Sequence, residues 1–303
     1  MITIVPDVEI KFHVAGLEVL LRSQQPDGLA GLTGFYRHYP GSGRQPGLIV
    51  DIERIGGFAH SRAADNSIEP DYPAFHRTAL GPDRIGLSRL DAEGEFTLPG
   101  AGATGPVCGR FCVNESANSV EAVVRIGTSI AMPRLGGLVL HASAITAISP
   151  RLPGPGGDEK PARQAFVFAG VSGAGKSTIA AMIAESSPRF GKVSDELVIV
   201  RPDRQGRWKA HVTPFIGGDG LPHGACYPIA AVHFLEQAND HRRISISRSA
   251  ALRELLRHVL VYVCETDTAS HVLQTASELV GAVDCHRLQF AKNPGVLEVL
   301  GIT

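Results

Sequence analysis

The chain has 303 residues, 44% hydrophobic and 19% charged, with a formal net charge of -1. That is the balance of an ordinary soluble globular protein with room for one large domain or two smaller ones, and it lacks the basic field that nucleic-acid binding draws on. Met1-Ile-Thr-Ile-Val-Pro-Asp-Val-Glu9 has neither the basic start nor the apolar core of a signal peptide, and no apolar run reaches the roughly 18 to 20 residues of a membrane span. The expected location is the cytoplasm, with no nucleic acid and no membrane among the partners.

From the start to residue 113 the chain predicts short strands broken by turns: Ile2–Val5, Leu17–Leu21, Leu48–Ile52, Gly94–Leu98 and Gly109–Val113. Breakers cluster into loops around Pro40 to Pro46 and Gly100 to Pro106, and Arg62 to Pro73 is polar enough for an exposed excursion. His13, His38, His60 and His76 share no metal-ligand spacing. The five cysteines form no CxxC pair, and their odd number argues against a disulfide framework; Cys108 and Cys112, four apart, share a strand face and read as core thiols.

The character changes at Asn118. Asn118–Met132 places apolar residues at helical intervals and Pro133 closes the run. The domain division expected is therefore a β-rich region, 1–117, and a second domain, 118–303. A strand at Gly137–Ile145 carries His141, a Pro/Gly-rich loop spans Ser149 to Arg163, and Ala165–Ala169 predicts a buried strand. Further strands are expected at Lys192–Val200, Ile229–Leu235 and His286–Ala291, with amphipathic helices at Ser249–Leu260 and Thr268–Val280.

Between the strand at 165–169 and the helix-forming run Thr178–Ala184 lies Gly170-Val-Ser-Gly-Ala-Gly-Lys-Ser177, a full G-x-x-x-x-G-K-[ST] pattern in a strand–loop–helix setting. Glycines at 170, 173 and 175 allow backbone N–H groups to converge on phosphate oxygens at a helix N-terminus, and Ser172, Ala174 and Thr178 belong to the same cradle. Lys176 is positioned to reach the β and γ phosphates, and Ser177 offers a hydroxyl to Mg²⁺. Asp195 and Glu196 follow at the spacing at which a neighbouring strand delivers a carboxylate to a metal-phosphate centre. Adjacent strand residues point to opposite faces, so both can approach only if the backbone bends there. One would hold the metal; the other would accept the proton of an attacking hydroxyl. Arg242 and Arg243 read either as a solvated turn or as further phosphate contacts.

Leu140-His-Ala-Ser-Ala144, the glycine loop and Val193-Ser-Asp-Glu-Leu-Val198 resemble, in order and rough spacing, the HPr kinase/phosphorylase family and its relatives, which share a nucleotide-binding core with ATP-dependent phosphoenolpyruvate carboxykinases. The resemblance covers roughly Asn118 to Thr303. This chain departs from the family pattern in having Asp-Glu where two aspartates are usual and Ala142 after the histidine. It implies an α+β fold with a mixed-sheet P-loop core behind a β-rich N-terminal region. It also implies ATP and Mg²⁺ as ligands, His141 and Lys176 at the phosphate site, Asp195 as base, and Glu196 beside Ser177 on the metal. The expected activity is transfer of the ATP γ-phosphoryl group to a serine-type hydroxyl of a protein or peptide, with homo-oligomers an implication of the same resemblance. A kinase of a small metabolite and a non-catalytic ATP-binding module remain alternatives.

Overall fold

The computed structural model describes residues 8–56, 76–81, 83–100, 102–114, 116–149, 162–215, 221–262 and 266–302. The expected strand at Ile2–Val5, the excursion at 62–73, His60, Cys264 and nearly all of the Pro/Gly-rich loop after residue 149 lie outside them. The chain is α+β, with two mixed sheets and few helices. It forms two compact units, Met1–Met132 with Val261–Ala269, and Pro133–Leu260 with Ser270–Thr303.

The first unit contains β1 (Val8–Val14), β2 (Leu17–Ser23), the short helix α1 (Thr33–Tyr36), β3 (Leu48–Arg54), β4 (His76–Ala79), β5 (Arg84–Arg89), β6 (Ala92–Thr97), β7 (Val107–Val113) and α2 (Ala117–Ala131). Its seven strands run in the order β1-β2-β3-β7-β6-β5-β4, with β3 parallel to both neighbours. Ser116 caps α2 by accepting from the Asn118 N–H. The helix sits so close to the sheet that a Cβ on Gly127 would lie 2.9 Å from Leu48 Cδ1. This packing puts α2 in the first unit, whose first segment ends at Met132. It also decides the cysteines: α2 covers the face of β7 carrying Val107, Phe111 and Val113, leaving Cys108 exposed and Cys112 half-buried, both as free thiols outside the core. The open face holds a cleft of about 670 Å³ lined by residues of both charges, among them Arg22, Asp51, Glu93 and Arg110.

The second unit contains β8 (Leu138–Ser149), β9 (Ala162–Ala169), α3 (Lys176–Ser186), β10 (Gly191–Ser194), β11 (Leu197–Pro202), β12 (Trp208–His211), β13 (Cys226–Gln237), β14 (Arg242–Ser245), α4 (Arg248–Leu256), α5 (Thr266–Ala282, from Ser270 on), β15 (Asp284–Phe290) and α6 (Val296–Leu300). The strand order is β10-β8-β11-β12-β13-β15-β14, and β9 pairs with both β13 and β8. The strands β8, β11, β12, β13 and β9 thus close into a five-stranded barrel. Alternation along each strand sorts the apolar residues into two cores. Leu140, Ala142, Val167, Val198, Ala210 and Val232 form one with α4 and α5. Ile145, Phe166, Phe168 and Phe290 form the other with Ile179 and Ile183 of α3 and with α6. The face that meets α3 is therefore the odd-numbered face of β8, which carries His141, Ser143 and Ile145.

Three local expectations change. The strand expected at 192–200 is two strands, β10 and β11, interrupted at Asp195 and Glu196. The helix expected to run to Leu260 ends at Leu256, because Val259 pairs back onto Leu140 of β8. Arg242 and Arg243 lie in β14, not in a turn, and an Arg243 Nη2 sits 2.6 Å from His286 Nε2.

His233 of β13 is fully buried between Phe168 and His286, and neither ring nitrogen has a hydrogen-bond partner among the described residues. Burial first, then the charges of Arg243 and His286, hold its pKa well below the ordinary 6.5. The folded chain refuses a proton that the unfolded chain binds, so stability is lost as pH falls below about 6.5. Replacing His233 with Leu is expected to reduce the slope of stability against pH by about 1.4 kcal/mol per unit between pH 6 and 5, the value for one proton. Urea titrations at stepped pH measure it; an unchanged slope would show that His233 is protonated in the fold.

Candidate active site

The Gly170–Ser177 loop joins β9 to α3. Gly173 and Gly175 take φ of 78° and 96°, the left-handed region that a Cβ disfavours. Gly170 approaches Ala174 closely, and a Cβ there would stand 2.8 Å from that of Ala174. Gly175 caps α3 without a side-chain hydrogen bond, and the hydroxyl residues Ser172, Ser177 and Thr178 are exposed around the loop. Lys176 is buried, its Nζ donating to the Gly170 carbonyl at 3.0 Å and the Val171 carbonyl at 3.2 Å. Burial lowers its pKa, while the charges of Asp195 and Glu196 act in the opposite sense.

The two acids reach this lysine through irregular backbone. Lys192 pairs with Ile145 but Ser194 with Ala144, so Val193 is an extra residue in a β-bulge. The bulge shifts the alternation by one and sets Asp195 opposite Ser143, on the face that carries His141. Ser143 Oγ, fully buried, donates to Asp195 Oδ1 at 2.7 Å. Register then resumes with Leu197 opposite His141. Between them Glu196 has φ of 87° while its carbonyl accepts from the Ala142 N–H at 3.1 Å. The bend that adjacent acids require is thus a left-handed glutamate, costing about 1 kcal/mol or more. Glu196→Gly is accordingly expected to raise the melting temperature by a few degrees, read by calorimetry, while removing a carboxylate from the site. A lower melting temperature would mean that Glu196 contacts outweigh the strain.

His141 is half-buried, with its pKa lowered first by burial and then by Lys176. Its backbone N–H donates to the His258 carbonyl at 2.7 Å. The antiparallel bridge Leu140–Val259 sets His141 directly opposite His258, so the two side chains are cross-strand neighbours. His258 is buried, stacked near Phe234 at 6.3 Å, and its pKa is lowered by burial, then by Lys176. The structure brings His141, Lys176, Asp195 and Glu196 near one another, with Ser143 and His258 beside them. Ser143 was legible from the alternation His141-Ala-Ser143. His258 carried no signal, since it follows a helix whose end packing decides. Arg242 and Arg243 lie in β14, where the Arg243 side chain is engaged with His286.

Among the described residues no group of three or more His, Cys, Asp or Glu is arranged to cage a metal. The donor set still suits Mg²⁺, which takes oxygen ligands, typically one or two carboxylates together with substrate phosphates and several waters. Ser177 with Asp195 or Glu196 would supply such oxygens. Among the described residues no helix is long and apolar enough to cross a membrane. No protein-family model matches the chain, and no curated protein matches it.

Proposed function

We propose that this protein is an ATP-dependent phosphotransferase built on a P-loop core of the HPr-kinase and phosphoenolpyruvate-carboxykinase type, transferring the γ-phosphoryl group to a serine-type hydroxyl of a protein or peptide. The observation that carries the reading is the convergence of His141 and the Asp195–Glu196 pair, with Asp195 bonded to Ser143 of β8, on Lys176 at the end of the glycine loop. The loop amides and Lys176 bind the β and γ phosphates. Ser177 and Glu196 would hold Mg²⁺, which would supply neutralisation of charge on the phosphates. Asp195, oriented by Ser143, accepts the proton of the acceptor hydroxyl as the new O–P bond forms and the bond to the β–γ bridging oxygen breaks, releasing ADP. His141, kept neutral by burial and Lys176, offers a ring nitrogen for hydrogen bonding on the acceptor side. Such catalysis is chiefly positioning and charge stabilisation.

The test is incubation of the protein with Mg·ATP labelled in the γ position and a peptide library or lysate, read by mass spectrometry. New phosphoserine is the expected product. A phosphorylated metabolite would reassign the acceptor, and tight ATP binding with neither product nor hydrolysis would support a regulatory module.

A further inference from the structure

The glycine loop is held from a side that the motif does not contain. Gln237 and Phe290 are the last paired residues of the parallel strands β13 and β15, and the Ala238 N–H donates to the Phe290 carbonyl at 3.0 Å, tying the two strand ends together. From this pair Gln237 Nε2 donates to the Gly173 carbonyl at 2.5 Å. The Phe290 ring, itself buried, lies so close to Gly175 that a Cβ there would stand 2.7 Å from Phe290 Cζ. The two residues gripped are the two of the loop with left-handed φ, the points where its backbone is freest to turn.

We infer that Gln237 and Phe290 form a clamp that sets the Gly170–Ser177 loop for polyphosphate binding, with Gln237 a positioning residue; this rests on the nucleotide reading above. The bond to Gln237 turns the Gly173 carbonyl toward β13, away from a bound anion that its oxygen would repel. Phe290 is the fixed wall, and Gln237 the polar latch. Because Gln237 is exposed, it can be changed without opening a core.

The experiment compares wild type, Gln237→Ala and Gln237→Glu by hydrogen exchange of the loop amides without nucleotide, and by titration with Mg·ATP and with inorganic tripolyphosphate. In Gln237→Ala the amides of residues 173–175 are expected to exchange several-fold faster. Both probes should bind about three- to tenfold more weakly, the range for one lost hydrogen bond, with the melting temperature unchanged. Gln237→Glu should bind more weakly still, because a carboxylate cannot donate and repels phosphate. Unchanged exchange in Gln237→Ala overturns the clamp whatever the titrations give. Faster exchange with unaltered affinity for both probes overturns its role in binding. A wild type that binds neither probe overturns the nucleotide reading and this inference with it, and the exchange result shows whether the latch itself is real.

Discussion

Lys176→Ala is expected to lower ATP turnover by at least about a hundredfold, the loss of roughly 2.7 kcal/mol of charge-assisted stabilisation on the transferring group. The side chain is buried, wired to two loop carbonyls and flanked by the charges of Asp195 and Glu196. Removing it withdraws the cation that offsets those carboxylates, so a polyphosphate would meet net repulsion as well as a missing donor. Arginine should not rescue, since its planar fork is too large for an enclosed site shaped to a compact ammonium. Stability should hold: a desolvated lysine is costly to keep, and Lys176→Met removes that cost while filling the space. Steady-state turnover, ATP titration and calorimetry on the same variants measure the three effects. Wild-type turnover in Lys176→Ala would remove the loop from the chemistry.

Asp195→Asn is expected to reduce kcat by about 10² to 10⁴, the range for losing a general base, with the apparent affinity for ATP changed only a few-fold. Asparagine keeps the shape, and its carbonyl can still accept from Ser143 Oγ, so the variant isolates proton acceptance from folding. Ser143→Ala tests the orientation of the same carboxylate. It should fall between wild type and Asp195→Asn in kcat, because the carboxylate remains but its 2.7 Å tether is gone. Rapid-quench measurement of labelled phosphoryl transfer separates this step from product release. A rise in KM with kcat intact would instead mean that Asp195 serves binding, and the base would have to be sought elsewhere at the site.

Much of this site was legible along the chain because its chemistry is carried by local spacing. The loop needs its glycines within six residues of each other and its lysine next to the last of them, a requirement of backbone geometry that leaves a continuous pattern. The His141 strand and the Asp195–Glu196 pair could be named, but not their facing. A regular strand would have sent Asp195 and Glu196 to opposite sides. The bulge at Val193 sets Asp195 on the His141 face, and the positive φ of Glu196 bends the backbone at the second acid, where β10 gives way to β11 along β8. The cysteines failed for a related reason. Alternation correctly put Cys108 and Cys112 on one face of β7, yet only the docking of α2 decides which face is the core.

By itself, then, the sequence determined the strand–loop–helix order around Gly170–Ser177, the residue types of the site and the β-rich character of the first hundred residues, because these follow from periodicity and from conformations that only particular residues adopt. Tertiary structure alone decided that β9 closes the barrel, that α2 belongs to the first unit, that His258 stands opposite His141, and that Gln237 and Phe290 grip the loop. Each of these depends on pairing between residues distant along the chain. Their selection comes from burying apolar faces and satisfying backbone hydrogen bonds across the whole fold.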